Sequence, residues 1–330
     1  MRFGRRGRIL PAAAVAVAAA LAFTSCAASS EPAGAPEPGE LRTVKVSAPP
    51  SYNALTLHVA EAEGYFEEVG IKLELSTVIG GEAVPALIGG NLDFILNDMV
   101  TLITARSKGL PLVIATPNVL LDAPAESAYV EILMRKEDEA KYTTAADIAG
   151  QTFGIPTVNS QPWVDVRTLV ADAGGDPETI EFVQVPDPMQ ALREKQVDFV
   201  TAPNPMATAA KLSGDLASLT PVTTEELGGV IGYPYLTTEQ LVESDPDLVA
   251  DFRAAVIKAN KLINSDPERA YEIAATYIDL PEDVLTASTL PHLGEAMPTA
   301  EDVQKSIDRI VANGIIDAAA APAPADLIAK

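Results

Sequence analysis

The chain has 330 residues, 48% hydrophobic and 21% charged, a balance that suits one large or two ordinary globular domains and excludes collagen, coiled coil and wholesale disorder. Its 46 acidic residues against 23 basic ones give a formal net charge of -23, which would repel the phosphates of nucleic acid. Cys26 is the sole cysteine, so no intrachain disulfide and no cysteine-type zinc site can form, and His58 and His292 are the only two histidines.

The N-terminus reads as an address. Arg2, Arg5, Arg6 and Arg8 precede an apolar run from Ile9 to Phe23. A basic start and a short apolar stretch form a secretory signal, and the run is short of the ~20 residues that span a bilayer. Leu21-Ala22-Phe23-Thr24-Ser25-Cys26 resembles a bacterial lipobox, with Phe23 where Leu is usual. That resemblance implies cleavage after Ser25 and lipidation of Cys26. Arg5-Arg6 leaves both the Sec and the twin-arginine routes open. Cleavage would remove four arginines and no acid, so the mature chain would be more acidic still. Residues 27–40 are only Ala, Ser, Pro, Gly and Glu, which cannot bury a core. The expected order is therefore a signal peptide over 1–25, then a lipidated Cys and flexible linker over 26–42.

Beyond the linker, strands and helices alternate. Val44, Val46 and Ala48 recur with the period of a strand, and Pro49-Pro50 ends it. Ala54, Leu57 and Ala60 have helical spacing up to Gly64. Ile71, Leu73 and Leu75 form a second strand. A helix over Ala83–Ile88, a strand over Asp93–Leu96, a helix over Met99–Arg106 and a strand over Pro111–Ala115 follow. The pattern then restarts. Glu131–Met134, Thr152–Ile155, Ile180–Val185 and Asp198–Thr201 read as strands, and Pro162–Ala173 and Met189–Lys195 as helices. From Pro246 onward the pattern is almost wholly helical, with Asp245-Pro246 and Asp266-Pro267 as helix starts. Such alternation predicts an α/β fold with mainly parallel sheets covered by helices.

One internal echo points to two lobes. Ala86-Leu87 through Asp93-Phe94 and Ala191-Leu192 through Asp198-Phe199 both read A-L-x5-D-F. We expect one lobe from 43–129 plus 226–330 and a second from 130–225, joined by two crossings. Open parallel sheets bind ligands at the carboxyl ends of their strands, so two facing lobes make a cleft.

No nucleophile elbow, zincin helix, phosphate loop or EF-hand loop is present. His58 falls inside an apolar helix and His292 near a proline-rich turn, both read as structural or solvated. Neither an enzyme activity nor a cofactor is expected. Ala60-x-x-x-Gly64-Tyr65-Phe66 followed by Gly70-Ile71 resembles the opening of periplasmic solute-binding proteins. Asp147-Ile148-Ala149-Gly150-Gln151 with Gly154-Ile155 is similar to that family's D-L-x-G-K-x-I-G, and the Gln184–Phe199 segment also resembles it. The branch is the one serving nitrate, sulfonate, taurine and thiamine-precursor importers, and the resemblance covers roughly 43–265. It implies a two-lobed, hinged fold of the type II periplasmic binding protein kind. It also implies delivery of a small molecule to an ABC permease and its ATPase subunits, by a monomer lipid-anchored on the extracytoplasmic face.

Residues at strand ends and helix starts should line the cleft. In the first lobe these are Ser51, Tyr52, Asn53, Gly81, Glu82, Asn97, Asp98, Thr116 and Asn118. In the second they are Thr157, Asn159, Ser160, Gln161, Trp163 and Asn204, with Tyr233 and Tyr235 near the return crossing. The set holds carboxylates, amides and aromatic rings but no Lys or Arg. Carboxylates and amides accept hydrogen bonds from amino groups, and a ring such as Tyr52 stacks on a flat heterocycle. The expected ligand is thus a nitrogen heterocycle such as a thiamine-precursor pyrimidine. Nitrate, taurine or an alkylsulfonate is the alternative, held by backbone N–H groups near Gly81 and Ser160. Readings of other classes are an enzyme resembling the thiamine-pyrimidine synthases and a surface adhesion protein.

Overall fold

The computed structural model describes residues 41–78, 80–121, 129–222 and 228–330. The signal peptide, Cys26 and nearly all of the linker lie outside the described residues. Among those described, no helix is long and apolar enough to cross a membrane.

The strands are β1 (Arg42–Ser47), β2 (Ile71–Ser76), β3 (Phe94–Leu96), β4 (Leu112–Leu120), β5 (Val130–Arg135), β6 (Thr152–Ile155), β7 (Glu181–Gln184), β8 (Phe199–Pro203), β9 (Leu216–Pro221) and β10 (Ile231–Thr238). The helices are α1 (Leu55–Ala62), α2 (Tyr65–Glu68), α3 (Ala83–Ile88), α4 (Met99–Ser107), α5 (Gln161–Asp172), α6 (Pro188–Arg193), α7 (Met206–Leu212), α8 (Glu239–Ser244), α9 (Pro246–Ser265), α10 (Pro267–Ala274), α11 (Glu282–Thr286) and α12 (Ala300–Ala312).

Two five-stranded sheets share one plan. Lobe I has the order β2-β1-β3-β10-β4 and lobe II the order β7-β6-β8-β5-β9. In each, the fourth strand runs against its neighbours: β10 pairs antiparallel with β3 and β4, and β5 with β8 and β9. Both β5 and β10 are the first strands after a change of lobe, so the reversal marks the crossings.

Period-two alternation places side chains on both faces of each sheet. Phe94 enters one lobe I core cluster and its neighbour Ile95 the other. In lobe II, Phe199 and Val200 divide in the same way. Helices cover both faces, as a buried parallel sheet requires. The longest, α9, starts where expected: the Asp245 carboxylate accepts from Leu248 N at 3.0 Å and Pro246 takes the first turn. Its Phe252 lies over Phe94 with ring centroids 3.9 Å apart.

The internal echo has a structural basis. Each copy is a helix end, a left-handed turn and the third strand of its sheet. Asp93 Oδ2 accepts from Lys45 N of β1 at 2.8 Å, and Asp198 Oδ2 accepts from Thr152 Oγ1 of β6 at 2.6 Å. The left-handed residue is Gly90 in one copy (φ 71°) and Lys195 in the other (φ 62°).

The fold departs from the expected pattern in four elements: β4 runs on to Leu120 rather than ending at Ala115, and β9, β10 and α7 have no counterpart in it. Pro234 hides β10, because proline interrupts strand pairing. In the fold it sits at register shifts between Tyr233 and Leu236, where a missing N–H does no harm.

Candidate functional site

The site grows from the carboxyl end of β3. After Leu96 the chain turns, and Asp98 caps α4, its Oδ1 accepting from Thr101 N at 2.7 Å. The Asp98 backbone N–H in turn donates to Asn97 Oδ1 at 2.9 Å. Burial raises the Asp98 pKa, the helix N–H groups oppose this, and the charge of Asp165 adds to the rise.

Asp165 comes from α5 of lobe II and is 5% exposed. Burial raises its pKa, and Arg309 on α12 of lobe I pulls the other way. Arg309 Nη2 lies 3.0 Å from Asp165 Oδ1, and Gln161 Nε2 donates to the same oxygen at 2.8 Å. Tyr233, at the start of β10, is held protonated: burial raises its phenol well above the usual range, and Asp165, Asp98 and Tyr129 add to that. Groups from both lobes and from the crossing strands thus converge. Tyr233, Tyr129, Asp165, Val119, Val130 and Val222 line a cavity of about 20 Å³ there, room for roughly one water.

The expected residues divide into three groups. Asn97, Asp98, Trp163 and Tyr233 come together at this convergence or beside it. Trp163 is half-buried and packs against the lobe I cluster, with Arg167 over its ring at 4.5 Å. Gly81, Glu82, Thr157 and Asn159 are exposed, and Ser160 is half-buried at the start of α5, its hydroxyl donating to Thr157 O at 2.7 Å. The third group is interior. Tyr52 is fully buried, its hydroxyl donating to Leu285 O at 3.0 Å. The ring expected to stack on a ligand is therefore core, because the first turn after β1 folds inward. Tyr235 is likewise core, edge-on to Phe252.

Thr116 and Asn118 sit fully buried in β4. Asn118 Nδ2 donates to Asn53 O at 2.8 Å, while Thr56 Oγ1 lies 2.8 Å from Asn118 Oδ1 and 2.7 Å from Asn260 Oδ1. This is a network that ties α1, β4 and α9. Ser51 O accepts from the Tyr277 hydroxyl at 3.0 Å. Asn204 Oδ1 accepts from Thr208 Oγ1 at 2.8 Å, an internal cap. His58 stacks on Tyr277 at 3.7 Å, and burial lowers its pKa.

The expectation of a site without a side-chain cation is corrected: Arg309 reaches it from α12. Sequence reading missed Arg309, Asp165 and Tyr129. The available signal was Asp165, an acid inside the otherwise apolar Trp163-Val164-Asp165-Val166 stretch. Arg309 gave none, since an amphipathic helix normally carries its arginines in solvent.

Comparison with known proteins agrees with this architecture. The alkanesulfonate-binding protein SsuA from Xanthomonas axonopodis pv. citri, bound to MOPS, matches with a TM-score of 0.71 at 17% identity, over 87% of this chain and 98% of that one. The aliphatic sulphonate binding protein SsuA from Escherichia coli matches at 0.69 and 19%, over 87% and 92%. The nitrate-binding protein NrtA from Synechocystis PCC 6803 matches at 0.68 and 13%, over 84% and 83%. At these identities the likeness shows the fold, a two-lobed periplasmic binding protein fold. No curated protein matches the sequence. The NMT1/THI5-like family model matches residues 51–270, most of the chain, and the protein belongs to that family.

Proposed function

We propose that the chain is an extracytoplasmic solute-binding lipoprotein that captures a small molecule between its lobes and delivers it to an ABC importer. The ligand we favour is a nitrogen heterocycle bearing N–H donors, such as an aminopyrimidine of the thiamine-precursor kind. The observation that carries this is the pair Asp98 and Asp165, from opposite lobes and close enough for the charge of Asp165 to raise the Asp98 pKa, with Arg309 ion-paired to Asp165 alone. A buried carboxylate gains most from a donor or a positive charge. A second reading, a sulfonate or nitrate, draws on Arg309 Nη1, a buried nitrogen without a partner among the described residues. The enzyme reading needs reactive groups at the site, and its described members are carboxylates, phenols and a guanidinium, with His58 committed to Tyr277.

Calorimetry of the protein and of Asp98→Asn against a 4-aminopyrimidine, nitrate, taurine and an alkylsulfonate separates the two ligand readings. The aminopyrimidine should bind and lose affinity in Asp98→Asn. Tight sulfonate or nitrate binding, indifferent to Asp98→Asn, would replace the first reading with the second. Anchoring has its own test: Cys26→Ser should release the protein from the membrane fraction into the medium, and unchanged membrane association would remove the lipoprotein reading.

A further inference from the structure

Helix α5 holds Arg309 of α12 by one edge. Asp165 and Thr168 stand three residues apart and share one helix face. Arg309 Nε donates to Thr168 Oγ1 at 3.1 Å, and Nη2 lies 3.0 Å from Asp165 Oδ1. Nε and Nη2 form one side of the planar guanidinium, while Nη1 and Nη2 form its end, a rigid fork of N–H donors. The Nη2 N–H groups are not aligned on Asp165 Oδ1, which already accepts from Gln161 Nε2 at 2.8 Å. Both nitrogens of the fork are thus buried without an aligned acceptor among the described residues, on a side chain that is 9% exposed. An unmet donor in the interior is costly, and a charged one more so. The fork also lies among the helices that carry the two carboxylates, because α4, capped by Asp98, packs against both α5 and α12.

We propose that Arg309 is a specificity-determining residue of the interlobe site, its Nη1–Nη2 fork taking a hydrogen-bond acceptor of the solute while the carboxylates take its N–H donors. Charge decides the kind of acceptor. Asp98 and Asp165 bring two carboxylates into electrostatic reach of each other, and Arg309 supplies one positive charge beside them. When ionised, these three groups leave one negative charge, which opposes an oxyanion. A ring nitrogen or a carbonyl accepts from the same fork without that repulsion. The solute class is therefore an uncharged planar molecule with an acceptor next to an N–H donor, as the ring nitrogen and amino group of 4-aminopyrimidine are. This deepens the ligand reading above and rests on it, adding the residue that tells a ring nitrogen from a ring carbon. A site built to bond a polar atom rejects the analogue that lacks it, since its own buried group is then left unpaired. Lysine at this position would keep the charge but lose the fork.

Calorimetry of the full-length protein with 4-aminopyrimidine and with aniline, the same shape without ring nitrogens, tests this. The parent should bind 4-aminopyrimidine at least about tenfold more tightly than aniline. In Arg309→Lys the preference should shrink to about twofold or less, because 4-aminopyrimidine loses affinity and aniline does not. Equal losses for both solutes would show that Arg309 acts only through Asp165 and would overturn the proposal, as would a preference that survives Arg309→Lys intact. Far-UV circular dichroism and a cooperative thermal transition identify variants that have folded. If Arg309→Lys does not fold, Thr168→Val decides: it removes the acceptor that fixes Nε, so the preference should drop several-fold, and an unchanged preference would overturn the proposal. Nitrate or methanesulfonate bound more tightly than 4-aminopyrimidine would sink the ligand reading and the uncharged class with it. Arg309 would keep its donor role in that case only if Arg309→Lys weakened the anion by about tenfold or more. A folded parent that binds none of these probes overturns both.

Discussion

Asp98 does two jobs that a pair of substitutions separates. Its carboxylate caps α4 and also faces Asp165 from the opposite lobe. Asp98→Ala should weaken aminopyrimidine binding by roughly 1.5–3 kcal/mol, as for a charged hydrogen bond, and lower stability by about 1 kcal/mol through the lost cap. Asp98→Asn keeps a capping oxygen and buries no charge, so urea unfolding at neutral pH should show stability no lower than the parent while binding falls. Equal binding losses with unequal stability would support this division, and a stability loss as large in Asn as in Ala would refute it. Gly90 and Lys195 offer a second residue-scale contrast. A left-handed backbone strains any side chain with a Cβ, so Gly90→Ala should destabilise by about 1 kcal/mol. Lys195→Gly occupies the matching turn of the other lobe and should be close to neutral, since relief of that strain is offset by the freedom glycine loses.

Among the elements, the tie between α1, β4 and α9 is the most exacting. Thr56 has one hydroxyl proton and two amide oxygens beside it, while Asn260 Nδ2 also donates to Gly294 O at 2.7 Å. Asn260→Ala should leave buried carbonyls unsatisfied and lower stability by about 1–3 kcal/mol in urea unfolding; a change below about 0.5 kcal/mol would show that these bonds carry no net weight. The same scale shows what could be read in advance. Strands with alternating apolar residues, such as β1, and helices opened by Asp-Pro, such as α9 and α10, were legible because local chemistry fixes them. β10 was hidden by Pro234, whose tolerance depends on a register shift that exists only in the assembled sheet. At the site, Asp98 could be anticipated from its place after a strand. Arg309 could not, because nothing local separates it from solvent-facing arginines; only the docking of α12 beside α5 buries it. Tyr52 failed for the converse reason: it follows a strand end, yet the turn points it into the core.

For the whole molecule, the buried carboxylates give the pH dependence a definite sign. Asp98 and Asp165 titrate higher when folded than their ordinary 3.8. Between that value and the folded one the native state holds more protons than the unfolded, so stability falls as pH rises through this window and levels off above it. Asp147, Asp198 and Asp302 are held low by hydrogen bonds, so their contribution disappears only as pH falls below 3.8. His58, held by burial below its ordinary 6.5, adds stability as pH rises toward that value, so the contribution of Asp98 is read as a difference: the thermal midpoint of the parent minus that of Asp98→Asn should fall as pH rises above 3.8. A difference that stays flat or climbs with pH would contradict this.

The strand order also sets a timetable for folding. In lobe I, β4 finds its sheet partner only in β10, which stands between it and β3. A ribosome or a translocation channel delivers β4 and then more than a hundred further residues before Ile231–Thr238 emerges. Lobe II, by contrast, draws its five strands from one continuous stretch and has all of them while lobe I still lacks its fourth. The apolar β4 must wait unpaired meanwhile, and loop closure over so long a separation is slow. For a chain read as exported, the expected consequence is that lobe I completes its sheet after lobe II, with the apolar Leu112–Leu120 left without its strand partner in the interval.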